Sequence, residues 1–331
     1  MSLMDKMKKT GYVKNSSLLE NSDMYNDNDV IKTEFPILNI AMGGSVNGGL
    51  TPGLTVLAGP SRHYKTGLAL NLVKAFQDKY EDAVILFYDS EFGTPMKYFE
   101  NVGCRTDNVL HIPIRNIEEL KFDIAQKLQE IERKDNVLIL IDSVGNLASK
   151  KEVDDALKEN DAADMTRAKQ VKSLFRIVTP YLQTANIPLV CVAHTYDTQE
   201  KFSKKVISGG TGIMYSANKA IIMGRRQDKD GTELAGYDFV INIEKSRYVR
   251  EKSKVPVTIK FSEGIKKYSG IFDLAQEFGF IKGSGYYQLV DPETGELDEK
   301  KLRKKAIPDE YYEKLVNSDQ FEEKVKEKYQ L

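Results

Sequence analysis

One unbroken stretch carries the most legible chemistry in the chain: Gly59-Pro60-Ser61-Arg62-His63-Tyr64-Lys65-Thr66, continued by Gly67. The apolar run LTVLA (54–58) precedes it and the helix-forming segment TGLALNLVKAF follows. A turn between a strand and a helix N-terminus lines up backbone N–H groups, which suits a phosphate chain. In such a loop Lys65 would reach the β- and γ-oxygens of ATP, and the Thr66 hydroxyl would ligate Mg²⁺. The pattern G-x-x-x-x-G-K-[ST] is kept except where Tyr64 stands in place of the second glycine. The alternative is an ordinary strand-to-helix turn with a solvated lysine.

Three further strand ends supply polar groups. NVLILIDS carries Asp142 after four apolar residues, at a Walker-B spacing from Lys65, as a holder of the Mg²⁺ shell. AVILFYDSEF places Asp89 and Glu91 at the end of another strand. A carboxylate beside a γ-phosphate can orient and deprotonate water. Glu91 is assigned that role and Asp89 a structural one. IPLVCVAH ends in His194, which reads equally as a satisfied turn residue or as a sensor of the γ-phosphate. In open parallel sheets ligands gather at such carboxyl ends.

Cations cluster elsewhere. Arg167, Lys169, Lys172 and Arg176 occur without an intervening acid, and the last three share a helix face. Ala168, Val171, Phe175 and Val178 fall on a roughly opposite face. The stripe suits a nucleic-acid backbone; the alternative is a solvated surface helix. The polar run TYDTQEKFSKKVISGGTG (195–212) adds Lys201, Phe202, Lys204 and Lys205 and ends in Gly209, Gly210 and Thr211. A ring among ammonium groups can stack at bases while its neighbours follow phosphates. By contrast 143–165 holds more acid than base and does not read as a DNA loop. Lys245 and Arg247, two apart after a strand, point the same way in an extended chain.

These groups need a framework. Strands are expected at 54–58, 83–89, 136–142, 187–193, 219–224, 237–243 and 256–261, and helices at 66–79, 95–102, 117–133 and 165–185. Continuous rather than alternating apolar strands indicate a mostly parallel sheet covered on both faces, with antiparallel strands added late. Residues 1–33 read as a polar arm with one short helix, 34–270 as the core, and 271–331 as a small C-terminal α/β appendage whose end, 299–331, is largely helical and solvated. With 48 Lys+Arg against 49 Asp+Glu, a formal charge of −1 excludes a bulk-basic nucleic-acid coater. The apolar fraction of 41% suffices for a sizeable core. No run reaches the length of a membrane span and no apolar leader opens the chain. Cys104 and Cys191 form no disulfide or zinc pattern, and His63, His111 and His194 show no ligand spacing with them. These features point to a reduced, cytoplasmic protein with no membrane partner.

Over most of 30–275 the sequence resembles the RecA-family recombinases, and most closely the UvsX type of tailed bacteriophages. The segments carrying this are NGGLTPGLTVLAGPS with Lys65-Thr66, LFYDSEFG, IDSVGNLASKKE, DMTRAK with SLFRIVTPY, AHTYDTQEKFSK, SGGTGIMYSA and EKSRYVREKSK. UvsX-type proteins resemble this chain in carrying an aromatic residue in place of the second loop glycine. The resemblance implies a RecA-type P-loop ATPase core that filaments helically on single-stranded DNA, pairs it with homologous duplex DNA and exchanges strands. It implies that Glu91 activates water, that Tyr98 packs near the adenine and that His194 links the γ-phosphate to the DNA loops. Residues 1–33 would serve polymerisation. Lys245 and Arg247 would cross to the neighbouring subunit's γ-phosphate, placing ATP at the subunit interface of a homo-oligomer. A mediator protein and a single-strand-binding protein are expected partners, in the cytoplasm of an infected host if the chain is phage-encoded. The rival readings are a hexameric helicase or other ring motor on the same core, and a non-hydrolysing ATP-gated DNA scaffold. A small-molecule kinase is more distant, because no segment reads as an acceptor-binding lid.

Overall fold

The computed structural model describes residues 2–12, 16–22, 30–158, 166–197, 205–230, 233–260 and 264–331. The arm contributes helix α1 (Leu3–Lys9), started by the Ser2 hydroxyl, which accepts from the Asp5 amide. Helix α2 (Pro36–Gly43) follows an isolated bridge between Ile31 and Leu50 and ends at Gly44, whose φ of 73° favours glycine.

Strands and helices then alternate: β1 (Gly53–Gly59), α3 (Lys65–Lys79), β2 (Val84–Asp89), α4 (Met96–Val102), β3 (Val109–Pro113), α5 (Ile117–Glu130), β4 (Val137–Asp142), α6 (Lys150–Leu157), α7 (Thr166–Thr184) and β5 (Pro188–Asp197). After them come β6 (Lys205–Ile207), α8 (Thr211–Ser216), β7 (Lys219–Asp230), β8 (Glu233–Ser246), β9 (Lys254–Lys260) and β10 (Gly264–Ile265). The chain closes with α9 (Ile271–Glu277), the hairpin β11 (Ile281–Ser284) and β12 (Tyr286–Leu289), and helices α10 (Asp309–Val316) and α11 (Asp319–Tyr329).

The main sheet runs β10-β9-β8-β7-β1-β5-β4-β2-β3. Its pairs are parallel from β3 through β7 and antiparallel from β7 to β10. Successive side chains of a strand face opposite ways. Leu57, Leu138, Leu140, Ile85 and Phe87 therefore pack under α2 and α3, while Val56, Ile139, Ile141, Leu86 and Tyr88 pack under α5 and α7. Both faces are covered, which is why these strands read as unbroken apolar runs. Register then sets the chemistry: Asp89 lies opposite Asp142, and Gly59 opposite His194.

The differences from expectation have local causes. Strand β3, VLHIP, lies at the sheet edge with every residue exposed or half-buried, and His111 breaks the apolar run that marks the inner strands. Helix α6, inside the polar segment, is set by a capping box between Ser149 and Glu152 rather than by apolar content. On α7 Ala168 is exposed, and the buried face is Val171, Leu174, Phe175, Val178 and Leu182. The C-terminal end is helical over α10 and α11 but not solvated. Leu315, Phe321, Val325 and Tyr329 are buried, and Glu322 accepts from the Ser45 hydroxyl and, at 2.9 Å, from the Val46 amide. The apolar i, i+4 stripe of α11 drives this docking; averaged Lys/Glu composition hides it. Both cysteines are free and buried. Among the described residues no helix is long and apolar enough to cross a membrane.

Candidate functional site

Between the end of β1 and the start of α3 the chain turns through Pro60–Tyr64. Two L-residues there, Arg62 (φ 60°) and Tyr64 (φ 57°), take left-handed backbone, the conformation a glycine adopts most readily. At Tyr64 the side chain compensates. Its ring covers Gly67 so closely that an added Cβ there would lie 2.6 Å from it, and its centroid is 6.2 Å from that of Phe239. His63 sits beside it, Nδ1 2.9 Å from the Ser61 carbonyl; burial, and then the nearby Arg225 and Lys65, push its pKa down.

Lys65 opens α3 and is 6% exposed, its ammonium donating to the Pro60 carbonyl at 2.9 Å. Burial lowers its pKa, opposed by Glu91 and Asp142. Thr66 donates its hydroxyl to Oδ2 of Asp142 at 2.7 Å. Oδ1 of Asp142 is buried with no partner among the described residues. Burial drives this carboxyl up to about 6 against the Thr66 bond, with Glu91 and Asp89 adding repulsion. An unshared carboxylate oxygen beside a threonine hydroxyl is a hard-oxygen donor set that fits Mg²⁺ completing its shell with phosphate and water. Among the described residues no cluster of three or more His, Cys, Asp or Glu could cage a metal on its own.

Glu91 sits in the turn after β2. Asp89 shapes that turn: its Oδ1 accepts from the amides of Glu91 (3.0 Å) and Phe92 (2.8 Å), and its Oδ2 lies 3.1 Å from His111 Nε2. Three groups converge on Oε1 of Glu91: Ser143 Oγ at 2.5 Å, His194 Nε2 at 2.9 Å and Asn146 Nδ2 at 3.2 Å. Burial pulls the Glu91 pKa up, but the bonds from Ser143 and His194 and the charge of Lys65 outweigh it, so the group is held below its ordinary value.

A cavity of about 220 Å³ gathers Ser61 through Gly67 with Glu91, Tyr98, Asp142 and His194. A second, of about 860 Å³, shares Arg62, Tyr64 and Tyr98 with it and is walled by Arg225, Tyr237 and Phe239. Arg225 lies 4.3 Å over the Tyr237 ring and donates to the Arg62 carbonyl at 2.9 Å. Sequence reasoning missed this aromatic wall. Its signal was present in the i, i+2 spacing of Tyr237 and Phe239 along β8.

Lys245 and Arg247 line neither cavity. The Lys245 ammonium donates to the carbonyls of Met214 (2.7 Å) and Tyr215 (3.1 Å) at the end of α8, while Arg247 is exposed.

Of the cationic stripe, Lys169, Lys172 and Arg176 are exposed. Arg167 is turned inward: Nε donates to Leu147 O at 2.7 Å, and Nη2 to Gly145 O at 2.7 Å and Val144 O at 3.3 Å. It precedes Val171 by four residues and so shares the buried face. Gly209 (φ 111°) and Gly210 (φ 76°) lead into Thr211, the first residue of α8. Helix α8 packs on the basic helix closely enough that a Cβ at Gly212 would lie 2.9 Å from Lys172 Cα. Lys205 is exposed, 3.8 Å from Asp197. Lys201, Phe202 and Lys204 lie outside the described residues.

A family model described as the RecA N-terminal domain matches residues 2–266. A second, described as the C-terminal domain of the bacteriophage T4 recombination and repair protein, matches 268–325. The recombination and repair protein of Enterobacteria phage T4 is 46% identical over 99% of this chain and 86% of its own length. Protein RecA of Bacteroides thetaiotaomicron is 27% identical over 88% of this chain and 87% of its own, and that of Syntrophus aciditrophicus 26% over 77% and 73%.

Proposed function

The chain belongs to the RecA family and is a recombination and repair recombinase, and from that premise we propose that it hydrolyses ATP with Mg²⁺ in a DNA-dependent manner while filamenting on single-stranded DNA. The observation that carries this reading is the convergence of Lys65, the Thr66–Asp142 pair and the Glu91–His194 pair around one cavity at the carboxyl edge of the sheet. Lys65 exchanges the Pro60 carbonyl for β- and γ-oxygens, and the loop amides take the rest of the phosphate charge. Thr66 and Asp142 hold Mg²⁺, which when bound neutralises charge building on the phosphates. Glu91, kept ionised by its donors, orients a water and accepts its proton. His194, touching the same oxygen, is the group able to report the state of the γ-phosphate to β5 and the segment after it. Tyr98, with the adjoining aromatic wall, takes the base.

DNA follows the exposed Lys169, Lys172 and Arg176 and the loop ending at Gly209-Gly210-Thr211 on the neighbouring helix. Lys245 and Arg247 serve the γ-phosphate of an adjacent subunit, so that assembly and turnover are linked. Homologous duplex DNA is the second substrate, and a mediator and a single-strand-binding protein are partners in loading. Residues 1–33 act as the polymerisation arm, 34–270 as the ATPase core and 271–331 as a C-terminal unit. The ring-motor and passive-scaffold readings gain nothing from a family match that spans the chain.

The test is ATPase with and without single-stranded DNA, alongside imaging with a slowly hydrolysed ATP analogue. DNA-stimulated turnover and open helical filaments are expected. Glu91→Gln should lower turnover by about 10²-fold or more with ATP binding kept, and its filaments should persist. Closed rings, or wild-type turnover in Glu91→Gln, refute the reading.

A further inference from the structure

Arg167 stands apart from the other cations of α7. Its planar fork reaches three carbonyls, of Val144, Gly145 and Leu147, within one turn. That turn follows directly on Asp142 and carries Ser143 and Asn146, two of the groups that meet Oε1 of Glu91. It has little room to shift by itself. A Cβ at Gly145 would lie 2.7 Å from Ser208 Oγ and 3.1 Å from His194 Cδ2, and the Ser143 amide donates to Ser90 Oγ at 3.0 Å. A guanidinium holding several carbonyls fixes orientation as well as distance, which a lysine ammonium does not. On its other side the helix exposes Lys169, Lys172 and Arg176, and Lys169 follows Arg167 by roughly 3 Å of helix rise.

We propose that Arg167 is a positioning residue that ties the DNA-facing helix α7 to the Glu91 carboxylate: its fork fixes the 143–147 turn, and through Ser143 and Asn146 that turn aims Glu91. DNA held on the exposed face of α7 thereby sets how well Glu91 is aligned, by a route that enters through the 143–147 turn rather than along β5. The inference rests on the reading of Glu91 as the group that activates water. All three contacts fall on Oε1, so they leave the capacity of Oε2 for that water. A misplacement of a fraction of an ångström at a general base is enough to cost rate.

The experiment measures ATP turnover over a range of single-stranded DNA concentrations for wild type, Arg167→Ala, Arg167→Lys, Asn146→Ala and the double Arg167→Ala/Asn146→Ala. Each alanine variant is expected to lose about ten-fold in kcat at saturating DNA with KM for ATP within about two-fold. The double should lose no more than Arg167→Ala alone, because Asn146 acts downstream of Arg167 on the same path. Arg167→Lys keeps the charge without the fork and should not rescue. Asn146 is exposed, so its variant tests the route even where Arg167→Ala folds poorly. A second readout does not depend on catalysis: DNA should change amide exchange across 143–147 in wild type and not in DNA-saturated Arg167→Ala. Multiplicative losses in the double, full rescue by lysine, a change confined to the DNA concentration needed for half-stimulation, or exchange that ignores DNA in wild type would overturn the coupling. Wild-type turnover in Glu91→Gln refutes the reading of Glu91 instead. Failure of the coupling alone is recognised when Glu91→Gln is inactive while Arg167→Ala and Asn146→Ala keep full DNA-stimulated kcat.

Discussion

Asp142→Asn should make the nucleotide-free protein more stable while destroying its Mg²⁺-dependent chemistry. Asp142 is 2% exposed, and burial first, then repulsion from Glu91 and Asp89, raises its pKa from 3.8 to about 6 despite the Thr66 bond. A raised carboxyl pKa means the folded state favours the protonated form. The stability is therefore fully present below pH 4 and is lost as pH climbs from about 4 to 6. The full penalty is about 3 kcal/mol above pH 7, at 1.36 kcal/mol per unit, and about half that at pH 5. Asparagine removes the charge and can still accept from Thr66, but its amide would replace the unpartnered Oδ1 and leave a buried donor unmet, at a cost of about 1–2 kcal/mol. The net gain is thus about 1–2 kcal/mol at pH 7.5, or about 1.5–3 °C in Tm, falling to near zero at pH 5. Thermal melts of both proteins at the two pH values measure it. Adding ATP analogue and Mg²⁺ should reverse the order, because ligand stabilises the protein that binds it. An asparagine variant less stable than wild type at pH 7.5, or a gain independent of pH, would refute the reasoning.

Arg247→Ala and Lys65→Ala should each lack turnover, yet an equimolar mixture should recover some of it, because one interface can then hold an intact Lys65 and an intact Arg247; a mixture that stays inactive under co-assembly rules out action in trans. Lys172→Ala, on the exposed face of α7, should weaken binding to single strands of any sequence alike and make the log–log salt dependence shallower by roughly 0.7, measurable by titration at several salt concentrations. Phe321→Ala should cost about 3–5 kcal/mol in denaturant unfolding, since the ring is fully buried between α11 and the body; a loss under about 1 kcal/mol would mean that α11 is not docked as described.

The turn between β1 and α3 was legible because its signal is local. Strand, turn, lysine and hydroxyl follow one another, and peptide geometry alone brings them to one place. Asp142, Glu91 and His194 were legible for a related reason: parallel strands in register deliver their carboxyl ends to one edge, so strand-end polar residues must meet. Periodicity also separated Lys169, Lys172 and Arg176 from the buried face of their helix. It could not say what the buried face would touch. Arg167 went inward because the carbonyls awaiting it lie 20 to 23 residues earlier in the chain, and that distance is closed by folding, not by pattern. Arg225, Tyr237 and Phe239 became a wall of the larger cavity because β7 and β8 continue the sheet past the loop. Glu322 reached Ser45 across 277 residues, turning an apparently solvated tail into part of the body. Spacing along the chain fixes which side chains share a face; which faces meet is decided by how the whole chain packs, and the polar groups left over at those meetings find partners that no local pattern encodes.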